Sequence, residues 1–117
     1  MNTTHSYMFE GVDGMREMQY VMKMFRFGFK TIGGSEVMNI LEHGGKPVEP
    51  QGCSTIEYLL ADGSSVVIQP SDTEPKITVS ISVSGGNPEN ADAVEKRVSE
   101  NIENIIYIDQ RAAYCCE

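Results

Sequence analysis

Val66-Val67-Ile68-Gln69-Pro70-Ser71-Asp72-Thr73-Glu74-Pro75-Lys76-Ile77-Thr78-Val79-Ser80-Ile81-Ser82-Val83 decides how this chain is read, because two β-patterned runs flank a polar loop bracketed by prolines. Ile77, Val79, Ile81 and Val83 alternate with Thr78, Ser80, Ser82 and Ser84, the period of a strand with one buried and one wet face. Just upstream, Thr55 to Ala61 and Ser64 to Gln69 flank Asp62-Gly63, a pair favoured in two-residue type I′ hairpins whose central residues both take positive φ.

The loop itself carries chemistry. Prolines fix φ and remove backbone donors, so Pro70 and Pro75 stiffen the bend while the N–H groups of Ser71, Asp72, Thr73 and Glu74 are left free. Successive free amides in a tight turn form an anion-binding concavity, to which Ser71 and Thr73 add hydroxyl donors and Lys76 a positive charge. Phosphate is the natural guest. The plainer reading is a polar connection whose Ser and Thr side chains only cap their own backbone.

Ala61-Asp62-Gly63-Ser64, Val66-Val67-Ile68, the loop and Lys76-Ile77 together resemble the C-terminal domain of the α-D-phosphohexomutases, the phosphoglucomutase/phosphomannomutase family. The family signature here is strand, then Arg-Pro-Ser-Gly-Thr-Glu-Pro-Lys, then strand. Upstream, Phe9-Glu10-Gly11-Val12-Asp13-Gly14-Met15 resembles the start of the connecting helix before that domain, and Ile32-Gly33-Gly34 the segment entering its first strand. The likeness runs from about Phe9 to Ile106.

The resemblance implies a TATA-box-binding-protein-like α+β unit, a cytoplasmic place in carbohydrate metabolism, and a loop that grips the phosphate of a phosphosugar through Gln69, Ser71, Asp72, Thr73 and Lys76. In that family the isomerase chemistry resides in three other domains carrying a phosphorylated serine, a magnesium loop and a sugar-reading loop. Mg2+ is thus implied for a complete enzyme and no cofactor for this chain. Asp13-Gly14 and Asp62-Gly63 lack the repeated pattern of the metal loop, and no serine stands in a matching nucleophile context. Neither a catalytic nor a metal-binding residue is assigned here.

Two loop positions depart from the family. Gln69 replaces arginine, a neutral amide in place of a charged bidentate fork, at a difference of roughly 1 kcal/mol or more. Asp72 replaces glycine or asparagine and sets a negative charge where the ligand is negative. Phosphate binding is therefore expected to be weak.

Outward from the loop, the first periodic segment runs from Asp13, an N-cap candidate, to about Phe27, with Met15, Met18, Met22 and Phe25 on one helical face and Gly28 after its end. Packing against a sheet is the expected use of that face, although a methionine stripe also suits an adaptable binding surface. Glu36 to His43 reads as a strand, and residues 44–54 as a loop without periodicity. Asn87-Pro88 supplies the N-cap and N1 residues of a second helix whose Ala91, Val94, Val98, Ile102 and Ile105 share one stripe. The expected architecture is α+β: a four-stranded, largely antiparallel sheet with helices on one face. Residues 1–30 read as an N-terminal segment, floppy at its start, and connecting helix, 31–106 as the domain, and 107–117 as a loosely held tail.

At 117 residues the chain is long enough for a core without disulfides, and Cys53, Cys115 and Cys116 suit neither a disulfide framework nor a tetrahedral metal site. They read as reduced thiols. A net charge of −8, with no Lys/Arg cluster, argues against nucleic acid and anionic membrane as partners. No apolar stretch has the length of a membrane span, and residues 1–5 lack the pattern of a signal peptide.

His5 and His43 have no catalytic partner in sequence, so an autonomous enzyme has no constellation behind it. Two readings stand. One is the phosphate clamp of a mutase, partnered by the remaining mutase domains. The other is a free-standing interaction module that kept the fold and lost the ligand, which predicts an exposed apolar surface and self-association.

Overall fold

The computed structural model describes residues 2–43, 55–71, 73–84 and 88–107. Among these the chain forms one six-stranded sheet and two helices. In chain order they are β1 (Asn2–Met8), α1 (Gly14–Phe27), β2 (Thr31–Ile32), β3 (Ser35–His43), β4 (Thr55–Leu60), β5 (Ser65–Pro70), β6 (Lys76–Ser82) and α2 (Pro88–Ile106). Every pairing is antiparallel and the spatial order is β1-β6-β5-β4-β3-β2. Strands β2 to β6 are thus a meander, and β1 closes onto the far side of β6.

Alternation sorts the two faces. Ile56, Tyr58 and Leu60 on β4, Val66 and Ile68 on β5, and Ile77, Val79 and Ile81 on β6 are buried, while their neighbours in sequence point the other way. Both helices cover the buried face. Met18, Val21, Met22 and Phe25 of α1 and Ala91, Val94, Val98, Ile102 and Ile106 of α2 join the strand residues in a single core. The opposite face is free of helices among the described residues, and on β6 it carries Lys76, Thr78, Ser80 and Ser82.

The expected four strands become six. The N-terminal segment is not floppy: Asn2–Met8 pairs residue for residue with β6, Asn2 opposite Ser82 and Met8 opposite Lys76. Its inward side chains, Thr3, His5 and Tyr7, include no aliphatic residue, so the alternation that marks β6 is missing from its sequence. Helix α1 also turns further than its methionines suggest. Met15 is exposed and Val21 takes its place in the core, because the buried stripe 14, 18, 21, 22, 25 begins with Gly14.

The hairpin between β4 and β5 lies where Asp62-Gly63 placed it, but it is not type I′. Among the described residues none other than glycine has positive φ, and in this turn Gly63 alone does, at φ 88°. The Gly63 N–H donates to the Leu60 carbonyl (3.0 Å) and the Leu60 N–H to the Ser64 carbonyl (2.9 Å), a type I turn followed by a left-handed glycine. Asp62 is spared a strained φ and uses its side chain instead. Burial opposes its charge, yet the Ser64 N–H (2.9 Å) and the Ser35 hydroxyl (3.1 Å) donate to it and hold its carboxyl below the usual range.

The C-terminus of α1 is closed from the sheet. The Gly28 N–H donates to the Met24 carbonyl (3.1 Å), and the Tyr58 hydroxyl donates to the Phe25 carbonyl (2.5 Å) while accepting the Phe29 N–H (3.3 Å). Burial pushes the Tyr58 hydroxyl up to about 12, and burial followed by the Glu103 carboxylate does the same to Tyr7. The neutral phenols therefore stabilise the fold fully below the unfolded value near 10. That contribution is lost as pH rises through about 12. Urea midpoints should fall steeply between these limits, and Tyr58→Phe should flatten the fall while lowering the neutral-pH midpoint. An equally steep alkaline fall in Tyr58→Phe would show that Tyr58 is not its source.

Among the described residues, no helix is long and apolar enough to cross a membrane. Residues 44–54 and Asn87, read as a loop and an N-cap, lie outside the described residues, as do the three cysteines and 108–117 of the tail.

Candidate functional site

Strands β5 and β6 carry the proline-bracketed loop at one end of the sheet. Pro70, opposite Ile77, is buried; Gln69 and Lys76 precede these two and point to the helix-free face. Cross-strand, Gln69 faces Thr78, which places Lys76 diagonally beside it. Ser71 is half-buried, and Thr73 and Glu74 are exposed. Four of the five expected site residues are thus gathered at one end of the sheet; the fifth, Asp72, lies outside the described residues.

The amides are not all free. The Ser71 N–H donates to the Lys76 carbonyl (2.9 Å), extending the β5–β6 ladder by one step. The Lys76 N–H in turn donates to the Glu74 carbonyl (2.8 Å), which makes the return tight. Thr73 and Glu74 both direct their N–H groups at the Ser71 Oγ, at 3.4 and 3.3 Å. Ser71 therefore caps its own loop, as the plainer sequence reading held, and the expectation of four free amides is corrected on this point. Two successive amides nevertheless converge on one oxygen, at the long end of hydrogen-bond range.

The loop is anchored from below. The Phe9 N–H, just past β1, donates to the Pro75 carbonyl (2.8 Å). Gly14, the first residue of α1, lies so close that a Cβ there would collide with the Phe9 carbonyl oxygen and come within 3.1 Å of the Pro75 Cβ. Nothing in the sequence of the loop announces this three-way contact between helix start, strand end and proline; the Phe9 to Met15 segment is where its other half is written.

Neither imidazole is as isolated as it is in sequence. His5 Nε2 lies 2.7 Å from Glu95 Oε1, which also accepts the Thr3 hydroxyl (3.1 Å), and His43 Nε2 lies 3.0 Å from Glu57 Oε1. Sequence separations of 90 and 14 residues hid these pairs. Among the described residues neither ring has a hydroxyl or thiol in hydrogen-bond contact, so each pair orients an imidazole without activating a nucleophile. No group of three or more His, Cys, Asp or Glu side chains among the described residues could hold a metal ion.

A second polar depression lies between the β2–β3 turn and α2, lined by Thr31, Gly34, Arg97, Asn101 and Asn104. There the Gly33 N–H donates to Asn101 Oδ1 (2.7 Å). Gly33 has φ 58°, and a Cβ on it would lie 2.9 Å from the Val98 Cα, so this turn is pressed against the helix.

Neither the protein-family models nor the curated proteins searched match the chain. The candidate site therefore stands on its own geometry.

Exposed apolar side chains gather elsewhere. Val12, Met15, Tyr20 and Phe27 point outward along the solvent side of α1 and the turn before it. Cationic Arg16 and Lys23 lie among them.

Proposed function

We propose that this chain is the phosphosugar phosphate-binding C-terminal domain of a phosphoglucomutase/phosphomannomutase-type intramolecular phosphotransferase, without catalytic activity of its own. The observation that carries the reading is the convergence of the Thr73 and Glu74 amides on Ser71 Oγ. A phosphate oxygen in that position replaces two long bonds to a neutral hydroxyl by two charge-assisted ones, and releases the Ser71 hydroxyl to donate as well. Lys76 supplies charge, and Gln69 a neutral donor, from the face that the helices leave uncovered. The finer likeness to a TATA-box-binding-protein-like unit belongs to the same proposal, as do the cytoplasmic location and the Mg2+-dependent chemistry of accompanying domains.

Titration with glucose 6-phosphate, followed by amide chemical shifts, tests the clamp. Ser71, Thr73 and Glu74 should move first. Affinity should be weak and should rise by roughly tenfold or more at low salt in the double variant Gln69→Arg with Asp72→Gly, which shifts the loop by two charges and contributes on the order of 1 kcal/mol per site. High salt should shrink the gain. Shifts confined to residues outside the loop in the parent would reject the site.

The exposed apolar residues of α1 favour the interaction-module reading as the alternative. A repaired loop that folds yet binds no phosphosugar would transfer the function to that reading.

A further inference from the structure

The two edges of the sheet are unlike. On one side β2, two residues long and followed by a turn pressed on α2, pairs with only Ser35 and Glu36 of β3, whose remaining outer edge is interrupted by a register shift between Val37 and Asn39; on the other lies β1, seven residues in unbroken register with β6. Exposed edge strands are normally blunted by proline, lysine, a bulge or brevity. Strand β1, Asn2-Thr3-Thr4-His5-Ser6-Tyr7-Met8, has none of these devices, and among the described residues no strand pairs with its outer side.

Which of its main-chain groups face outward follows from one hydrogen bond. Phe9 lies opposite Pro75, one step beyond the Met8 and Lys76 pair, and its N–H donates to the Pro75 carbonyl. Bonded and non-bonded pairs alternate along an antiparallel ladder. Thr3, His5 and Tyr7 therefore turn their N–H and C=O groups to β6, and Asn2, Thr4, Ser6 and Met8 turn theirs to the open edge. The strand is also held in place, since Thr3 and His5 both hydrogen-bond Glu95 on α2.

We infer that the free edge of β1 pairs with β1 of a second copy, antiparallel about a twofold axis at His5, joining two six-stranded sheets into one. That register sets Asn2 of one copy against Met8 of the other and Thr4 against Ser6. All four outward residues of each copy are thereby paired, with about eight main-chain hydrogen bonds at two per bonded pair. A twofold, self-complementary contact closes on itself and stops at the dimer. Charge favours this place over the rest of the surface. In a chain of net charge −8, β1 carries no carboxylate, its only titratable side chains being His5 and Tyr7; of the acids near it, Glu95 is engaged by Thr3 and His5, and Glu103 stands near Tyr7. Two copies therefore meet along β1 with no carboxylate on the paired strands themselves. The inference is independent of phosphate binding and stands or falls without it.

Light scattering on the full chain after size exclusion, over a wide concentration range, tests it. The parent should be dimeric at the upper end. Ser6→Pro, which removes an outward donor and no bond to β6, should be folded and monomeric. The double variant Thr4→Lys with Ser6→Lys, at two exposed positions, sets like charges against each other across the axis and should dissociate the dimer by a second route. In hydrogen exchange, the Thr4 and Met8 amides should be slower in the parent dimer than in the Ser6→Pro monomer, with those of His5 and Tyr7 alike in both. Phe27→Ser, on the apolar side of α1, should leave the dimer intact. A parent that is monomeric throughout, a dimer that survives both edge variants, or one that dissolves only with Phe27→Ser would overturn the inference.

Discussion

Replacing Phe25 by alanine is expected to cost about 3–5 kcal/mol of folding stability, the range for emptying a fully enclosed aromatic site. Phe25 is 0% exposed, packs edge-on against Tyr58 (6.1 Å between ring centroids) and Phe29 (5.5 Å), and stands at the last turn of α1 where that helix meets the sheet. Its removal opens a cavity between rings that cannot collapse independently, since Tyr58 is tied by its hydroxyl to the Phe25 carbonyl. Domains of this size have on the order of 5–15 kcal/mol in total, so the variant should be marginal. Urea unfolding followed by circular dichroism gives the number. A loss under about 1 kcal/mol would mean that α1 does not seal the core at this point.

Gly14→Ala should also destabilise, by roughly 2–3 kcal/mol, and here the sign is the test. Within a helix, alanine is ordinarily better than glycine by up to about 1 kcal/mol. At this position the added methyl meets the Phe9 carbonyl oxygen and the Pro75 ring, neither of which can move without disturbing the Phe9 to Pro75 hydrogen bond. Amide shifts of Ser71, Thr73 and Glu74 should therefore change in Gly14→Ala and stay put in Met15→Ala, whose side chain is already exposed. A Gly14→Ala protein more stable than its parent would remove the close approach on which the anchoring of the loop rests.

What the sequence disclosed, and what it hid, divides by the range of the interaction involved. Strands β4, β5 and β6 and helix α2 were legible because their apolar periodicity is local and strong. Strand β1 was not. Thr3, His5 and Tyr7 satisfy the inner face partly by hydrogen bonds and ring contacts to α2 and Tyr107, partners about 90 to 100 residues away. Strand β2 has two residues, too few for any period to appear. In the loop, Gln69, Ser71, Thr73 and Lys76 gather at one end of the sheet, as a short polar connection between two paired strands requires. Which amides point where depended on Ser71 choosing its own backbone, a competition that composition does not decide. The hairpin shows the same limit on a smaller scale. Asp62-Gly63 marked its position, and the chain then chose a turn that keeps Asp62 out of the left-handed region.

The pairing of β1 with β6 has a consequence for the order in which the chain is secured. Each step of the β2 to β6 meander joins strands adjacent in sequence, whereas Met8 meets Lys76 only after a separation of roughly seventy residues. Loop-closure entropy grows logarithmically with length, so this one closure costs about 2.5 kcal/mol more than closing a hairpin of a few residues. It is also the pairing that contributes most to the contact order of the sheet. The Glu95 contacts to Thr3 and His5 and the hydrogen bond from Phe9 to Pro75 lie toward opposite ends of β1, where they oppose fraying from either side. The same bond that steadies the Pro75 side of the loop thus helps to keep the first strand in the sheet.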